Sequence, residues 1–325
     1  MSSYESPWKA WRAYCAEQSV DPSSPDPAVF CSFIESVFSA GSSFSKTNSS
    51  ASSISTALHL GKEVNLADHP VVILLRKAMR KERPTKPRYL DTWDVGRLFR
   101  YISSLGGNSS LSLEALTCKV CCLLKLDLFG RASDLARAFR SEVIFGQGFV
   151  KVRFYLTKEW RHDGKFVNGR FTKWLIVGEY SDNRRICTVS TLRYYLDKIS
   201  GSSIALDRTV EGKATSGIVV SVVKAASGPH KGKFFSLSSE RISKYVMLGM
   251  QKAGIDTSKF KAHSTRSAAT SMAVEAGAAV ERVLAHARMG SQANFEKFYH
   301  RSVAHFRKKK LPVQTSLARF VRASF

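Results

Sequence analysis

The sequence predicts a mainly helical (α+β) protein in two units, the second carrying a small antiparallel sheet. Apolar residues recur at helical spacing through the first eighty positions, a proline-broken basic segment follows, and two alternating stretches stand at 142–160 and 169–178. Trp8, Trp11 and Tyr14 share one helix face, and Val29, Phe30, Phe33, Ile34 and Phe38 repeat the pattern after Pro27. The serine-rich stretch 39–61 reads as a loop followed by a helix, because Ile54, Leu58 and Leu60 carry apolar spacing out of it and Gly61 supplies a stop. VVILLRKAM predicts a further helix over 69–81.

RKAMRKERPTKPR (76–88) holds seven basic residues, one acidic residue and two prolines. Proline breaks a helix and so dense a charge cannot be buried. The segment therefore marks a boundary between a helical unit over 1–82, a basic linker over 83–90 and a second unit over 91–325. In the second unit, helices are predicted over 91–104 and 111–127. EVIFGQGFVKVRFYLTKEW and GRFTKWLIVG alternate as strands joined by the loop HDGKFVNG. TVSTLRYYLDKIS is helical, 207–233 is irregular, and helices follow at 238–253, 264–276, 278–287 and 291–299. No internal repeat is visible.

Lys and Arg total 50 against 26 Asp and Glu, a formal net charge of +24. Such an excess attracts polyanions, nucleic acid above all. The charge identifies a class of partner and no reaction. The longest apolar stretches, VVILL (71–75) and CCLLKL (121–126), are core-sized and far short of a membrane span. The opening MSSYESPWKAWRAYC lacks the charged-then-apolar order of a secretion signal, which predicts an intracellular, soluble chain. TCKVCC (117–122) contains a C-x-x-C inside the apolar run LEALTCKVCCLLKL, with no second pair at zinc-site spacing. Buried core cysteines are expected, with neither metal nor disulfide.

Three pieces of the second unit carry chemistry. AHSTRSAATS (262–271) sets His263 and Arg266 three residues apart at a helix start, where unpaired N–H groups and a partial positive charge suit an anion. GRASDL (130–135) supplies Arg131, and NFEKFYHR (294–301) supplies Tyr299. Taken singly, each has a plainer reading. Arg131 can be a surface arginine at a helix start, Ser264 or Thr265 can cap the helix with His263 idle, and Tyr299 can pack with Phe295 and Phe298.

In their joint order, with so basic a composition, these residues resemble the tyrosine recombinases of the phage-integrase superfamily. The resemblance is closest to the recombinases of DIRS-like and Ngaro-like retrotransposons and of Cryptons, which carry stretches similar to AHSTRSAATSMA, FEKFY and TWDVGRLF (92–99). It runs the length of the chain, since SPWKAWRAYC and the serine-rich helix look like the family's helical core-binding domain.

The resemblance implies a DNA-binding core-binding domain followed by a catalytic domain that cleaves and rejoins DNA. Tyr299 would be the nucleophile and form a 3′-phosphotyrosyl link. Arg131 and Arg266 would clamp the scissile phosphate, a task suited to guanidiniums that stay charged and bind two oxygens at once. His263 would handle protons or donate to a phosphate oxygen, and Asp134 matches an acidic residue that orients Arg131. The family's general-acid lysine sits on a hairpin of the sheet. Lys158, where FYLTKEWR ends a strand, is the choice, with Lys165 and Lys173 as competitors. One position departs from the pattern: ten residues before Tyr299, where His or Trp is expected, stands Met289. Methionine can fill the space but donates no hydrogen bond. His286, one helical turn upstream, is the candidate substitute.

The basic strap, Arg76, Lys77, Arg80, Lys81, Arg83, Lys86 and Arg88, is expected to cross the DNA backbone. Implied partners are double-stranded DNA and further copies of the chain in a tetrameric synapse. No metal, cofactor, membrane or small-molecule substrate is expected. A eukaryotic mobile element would place the protein in the nucleus, and otherwise it would be cytoplasmic or on the nucleoid. RKKK (307–310) can serve nuclear import or a phosphate. A nicking–closing enzyme like the type IB topoisomerases, or a catalytically impaired DNA-binding descendant, would carry similar residues.

Overall fold

The computed structural model describes residues 2–59, 65–155 and 171–301, and the chain divides into two compact units, Met1–Pro87 and Arg88–Phe325. The first is a four-helix unit of α1 (Ser2–Glu17), α2 (Pro27–Ser39), α3 (Phe44–His59) and α4 (Pro70–Glu82). Asp26 starts α2 by accepting the Ala28 N–H at 2.5 Å, and Pro27 occupies the first turn, where its missing N–H is harmless. Fully buried Trp11 anchors the core. Its ring meets Phe30 and Phe33 edge-on at 5.7 and 5.1 Å, and its indole N–H donates to the Pro22 carbonyl at 3.0 Å.

Helix α3 begins earlier than the serine content suggests. Thr47, Ala51, Ile54, Ser55 and Leu58 form one buried stripe, and its small residues let α3 pack on α1. The basic segment likewise starts inside α4, and two of its arginines are engaged within this unit. Arg83 donates to the carbonyls of Phe38 and Ser42 at 2.6 and 3.1 Å and lies 3.8 Å over the Phe38 ring, closing the end of α2. Arg76 donates to the Asn48 side chain at 2.8 Å. Lys77, Arg80, Lys81, Lys86 and Arg88 are exposed.

The second unit is built on α6 (Leu113–Asp127), which follows α5 (Val95–Ser104). Every residue of α6 from Leu116 to Asp127 is buried, so it is a central spine with neighbours on all sides. Around it lie α8 (Thr188–Ser200), α9 (Ser239–Lys252) and α10 (Ser264–Glu275), while α7 (Ala132–Leu135) is one turn beyond its end. Cys118, Cys121 and Cys122 lie buried in this spine as free thiols, as the apolar run predicts.

The sheet differs from the two-strand reading. The segment taken as one strand over 142–160 is itself a hairpin, β1 (Ala138–Gly146) and β2 (Phe149–Phe154), and β3 (Leu175–Gly178) pairs antiparallel with β2. The turn falls at Gln147–Gly148, where Gly148 adopts φ +72. Val150, Val152 and Val177 face the core. The loop HDGKFVNG lies outside the described residues. Residues 207–233, read as irregular, contain a further hairpin of β4 (Arg208–Val210) and β5 (Lys213–Thr215). It closes on Glu211 and Gly212, both at positive φ as such tight turns require. Helices α11 (Val280–Ala287) and α12 (Gln292–Phe298) complete the unit. No helix among the described residues is long and apolar enough to cross a membrane.

Helix α9 approaches α6 closely because residue 249 has no side chain: a Cβ there would lie 2.5 Å from the Cys122 sulfur. Gly249→Ala should therefore destabilise the second unit by about 1–3 kcal/mol through overpacking. Cys122→Ala introduced with it should recover most of the loss in melting temperature.

Candidate active site

The site forms where α6 ends. The chain leaves α6 through Phe129, held at φ +44, a left-handed conformation uncommon outside glycine. The buried ammonium of Lys125, one turn back, donates to the Gly130 carbonyl and fixes the start of the GRASDL turn. The Arg131 N–H then donates to Asp134 Oδ2 at 2.9 Å, which leaves the Arg131 side chain at the surface of the turn, about a fifth exposed (21%). Asp134 is fully buried and also receives Arg288 Nη2 at 2.8 Å. Arg288 follows α11 in a left-handed conformation, φ +56, with its guanidinium 4.7 Å from the Phe154 ring centre.

Arg266 lies in the first turn of α10 and is 0% exposed. One of its nitrogens, Nη2, donates to the Ala287 carbonyl, whereas Nε and Nη1 have no hydrogen-bond partner among the described residues. A buried donor left unpaired costs about 1–3 kcal/mol, so the arrangement is stable only against a strong frame or with an acceptor supplied from outside. The guanidinium carbon sits 5.7 Å from the ring centre of Tyr299. Neither Ser264 nor Thr265 caps α10: Ser264 accepts the Trp93 indole N–H at 2.9 Å, and Thr265 donates to Ala262. His263 holds the N-terminal position, its ring edge-on to Tyr299 at 6.1 Å. Tyr299 ends α12 and is half-buried, as is Phe298, and only Phe295 of the three aromatics enters the core. A cleft of about 390 Å³ opens beside Tyr299, lined among others by Arg88, Tyr89, His263, Ser267 and Asn294.

The electrostatics are lopsided. Lys125, Arg131, Arg266 and Arg288 gather around one buried carboxylate, Asp134, and each weakens the next. Burial, then Arg131 and Arg288, lower the Arg266 pKa to about 10, against the opposing pull of Tyr299 and Asp134. Burial, then Arg266, lower Lys125 to about 7. Crowding by the protein around the ring, then Lys125, Arg266, Arg131 and Arg88, lower His263 to about 4, so its imidazole is neutral at pH 7, although the residue as a whole is exposed to solvent. Such a concentration of positive charge, partly dehydrated and with few carboxylates among the described residues around it, is chemically suited to an anion.

Arg131, His263, Arg266 and Tyr299, distant in sequence, thus meet in one place. Lys158 and Lys165 lie outside the described residues, and Lys173 is exposed just before β3. His286 is buried, its Nε2 2.7 Å from the Asp127 carbonyl and its ring against Phe129; burial lowers its pKa to about 4. Met289 packs against the core. Two residues of the cluster escape the sequence reading. Lys125 is the single charge in CCLLKL, an interruption that could have flagged it. Arg288, next to Met289, has no such signal.

No protein-family model and no curated protein matches the chain. Among solved structures, the XerH site-specific recombinase bound to its difH substrate is similar at a TM-score of 0.50 and 10% identity, over 89% of this chain and 72% of that one. The chain has a site-specific recombinase fold. The Tn1549 transposon integrase with circular intermediate DNA (TM-score 0.46, 11% identity, 93% and 87% covered) and a λ integrase dimer bound to a COC′ core site (0.44, 14%, 95% and 90%) are also similar.

An anion should report the site directly. Sulfate, which does not titrate near neutrality, should raise the melting temperature at pH 6 beyond what chloride of equal ionic strength does. Arg266→Met should lose that difference without falling below the native melting temperature in the absence of sulfate, because it removes an uncompensated buried charge at similar volume. Lys125 sets the pH dependence. With its pKa lowered to about 7, its ammonium adds to the attraction below that pH and is lost above it, so the sulfate effect should shrink between pH 6 and 8. An Arg266→Met protein that responds to sulfate like the native chain would remove the anion-site assignment.

Proposed function

We propose that the chain is a site-specific DNA recombinase that cuts and rejoins strands through Tyr299. The observation that supports this most is Arg266, fully buried beneath the Tyr299 ring with two unpartnered nitrogens, inside an excess of positive charge. On this reading a phosphodiester brought against Tyr299 supplies the acceptor that Arg266, behind the cleft lining, lacks among the described residues. The Tyr299 oxygen forms a bond to phosphorus as the bond to the 5′ oxygen breaks, leaving a 3′-phosphotyrosyl strand and a 5′-hydroxyl. One phosphoester replaces another, so the reverse attack reseals the strand with no outside energy source.

A phenol is a weak nucleophile at neutral pH, so its attack needs help. His263, neutral at pH 7, accepts its proton, and the arriving phosphate raises the histidine's basicity by offsetting the surrounding cations. Arg131 and Arg266 hold the nonbridging oxygens. The proton for the leaving 5′ oxygen is assigned to Lys158 on the resemblance alone. Met289 cannot donate to the phosphate, and Arg288 beside it adds a third guanidinium that carries the electrostatic part of that task. Lys77, Arg80, Lys81, Lys86 and Arg88 follow the DNA backbone, and four protomers on DNA exchange strands. The stretches AHSTRSAATSMA and TWDVGRLF favour a mobile-element setting, which in a eukaryote is nuclear.

The decisive experiment uses suicide duplexes drawn from the DNA junctions flanking the gene, in which a nick lets the cleaved end diffuse away. The native chain should form a denaturation-resistant adduct that Tyr299→Phe abolishes. Arg131→Ala and Arg266→Ala should each slow the adduct by about 10²–10³, as other preorganised donors do. Duplex affinity should fall with salt at a log–log slope of about −0.9 per phosphate contacted. Binding to DNA with no adduct on any junction would overturn the enzymatic reading.

A further inference from the structure

Tyr299 stands one residue past the end of α12, a helix of seven residues. Its N–H completes the last turn by donating to Phe295 at 2.8 Å, but its own carbonyl lies beyond the helix and has no acceptor role there. Short helix ends fray, and a nucleophile on one would wander by more than a bond length. The structure supplies a restraint from the side. Ser267 Oγ and Ser271 Oγ, four residues apart on one face of α10, both donate to the Tyr299 carbonyl, at 2.6 and 2.9 Å. The Ser271 oxygen also accepts the Arg301 N–H at 2.9 Å, bracketing the tyrosine on its far side. The Arg301 side chain then closes the end of α12 by donating to the carbonyls of Glu296, Lys297 and His300, and ties it to the Tyr89 carbonyl at 2.9 Å.

Helix α10 is also the element that carries Arg266, immediately before Ser267. We infer that Ser267 and Ser271, seconded by Arg301, are positioning residues that reference the Tyr299 phenol to the Arg266 guanidinium through one rigid helix; the inference rests on the recombinase reading above. Ser267 and Ser271 are 6% and 0% exposed, and a serine pair inside a helix is a poor choice for helix propensity alone. Two hydroxyls converging on one carbonyl of the residue that must attack explain that choice. Distance from nucleophile to phosphorus is where small displacements cost rate rather than affinity. Ser271, which does not line the cleft, therefore acts on the chemical step and leaves DNA binding alone, while Ser267 borders the cleft as well.

The test separates that role from simple stability. Ser267→Ala and Ser271→Ala should each slow single-turnover adduct formation on the suicide duplex about tenfold, the loss of roughly one hydrogen bond, and about a hundredfold together. For Ser271→Ala, outside the cleft lining, duplex affinity should stay within twofold of the native value, and Ser267→Thr, which keeps the hydroxyl, should recover most of the rate lost in Ser267→Ala. Independently of activity, hydrogen exchange at the amides of 299–301 should speed up about tenfold or more in the double variant, while the amides of α6 keep their protection. Native-like adduct rates, or unchanged exchange at 299–301, overturn the inference. Should the native chain form no adduct at all, the recombinase reading fails, and the exchange measurement alone decides whether the serines hold Tyr299.

Discussion

Arg266 is a full charge buried without a counter-ion of its own, and much of the second unit is arranged to keep it there. A guanidinium in the interior costs several kcal/mol unless other groups compensate. Here the compensation is incomplete: one nitrogen has a backbone carbonyl, Asp134 is shared with Arg131 and Arg288, and two nitrogens have nothing. A helix buried on all sides, α6, and a helix start pinned by the Trp93 indole supply the stiffness that prevents the arginine from swinging into water. The fold resists this charge rather than satisfying it, and the deficit is what an anionic substrate would fill.

The same reasoning explains why strained backbone collects here. Of the described non-glycine residues at positive φ, Phe129 and Arg288 both border the cluster. Each conformation costs about 1–2 kcal/mol. Phe129 turns the chain sharply enough for Arg131 to follow α6 without a loop, and Arg288 turns back after α11 to reach Asp134. Asp134 in turn receives the Arg131 backbone and the Arg288 side chain on one oxygen, so the two turns are fixed against each other through a single carboxylate. Lys125 adds a further tie at the Gly130 carbonyl. Positioning here is done by backbone groups held from several directions at once.

Much of this was legible in the sequence. Apolar periodicity marked α1 and α2 and located α4 and the four C-terminal helices within a residue or two, and the separated motifs around Arg131, His263, Arg266 and Tyr299 do converge. What escaped did so for physical reasons. Serine content suggested a loop where Ala51 and Ser55 are needed as small contacts along α3. The β1–β2 turn hid within an alternating stretch, because its glycines interrupt the pattern for only three residues. Arg76 and Arg83, expected on the DNA backbone by their charge, also have partners within the first unit, Arg76 at the Asn48 side chain and Arg83 at two backbone carbonyls, which charge alone does not announce. Lys125 was masked by the apolar residues around it, whose burial is what depresses its pKa. Arg288 depends on a left-handed turn that no composition announces.

The departure at Met289 looks different once the backbone is in view. The position expected to hold a hydrogen-bond donor follows directly after a residue in left-handed conformation, and that turn brings the preceding side chain, Arg288, onto Asp134 instead. On the recombinase reading we propose, a donor at 289 would touch a phosphate oxygen, whereas the Arg288 guanidinium, held by Asp134 beside Arg266, would act by field. Field effects fall off slowly in a poorly solvated site, so the loss of direct contact is smaller than the loss of a neutral donor in water would suggest. On that reading a third fixed positive charge would stand in for one short hydrogen bond. That exchange deepens the charge deficit around Arg266, and with it the reason for an anion to enter.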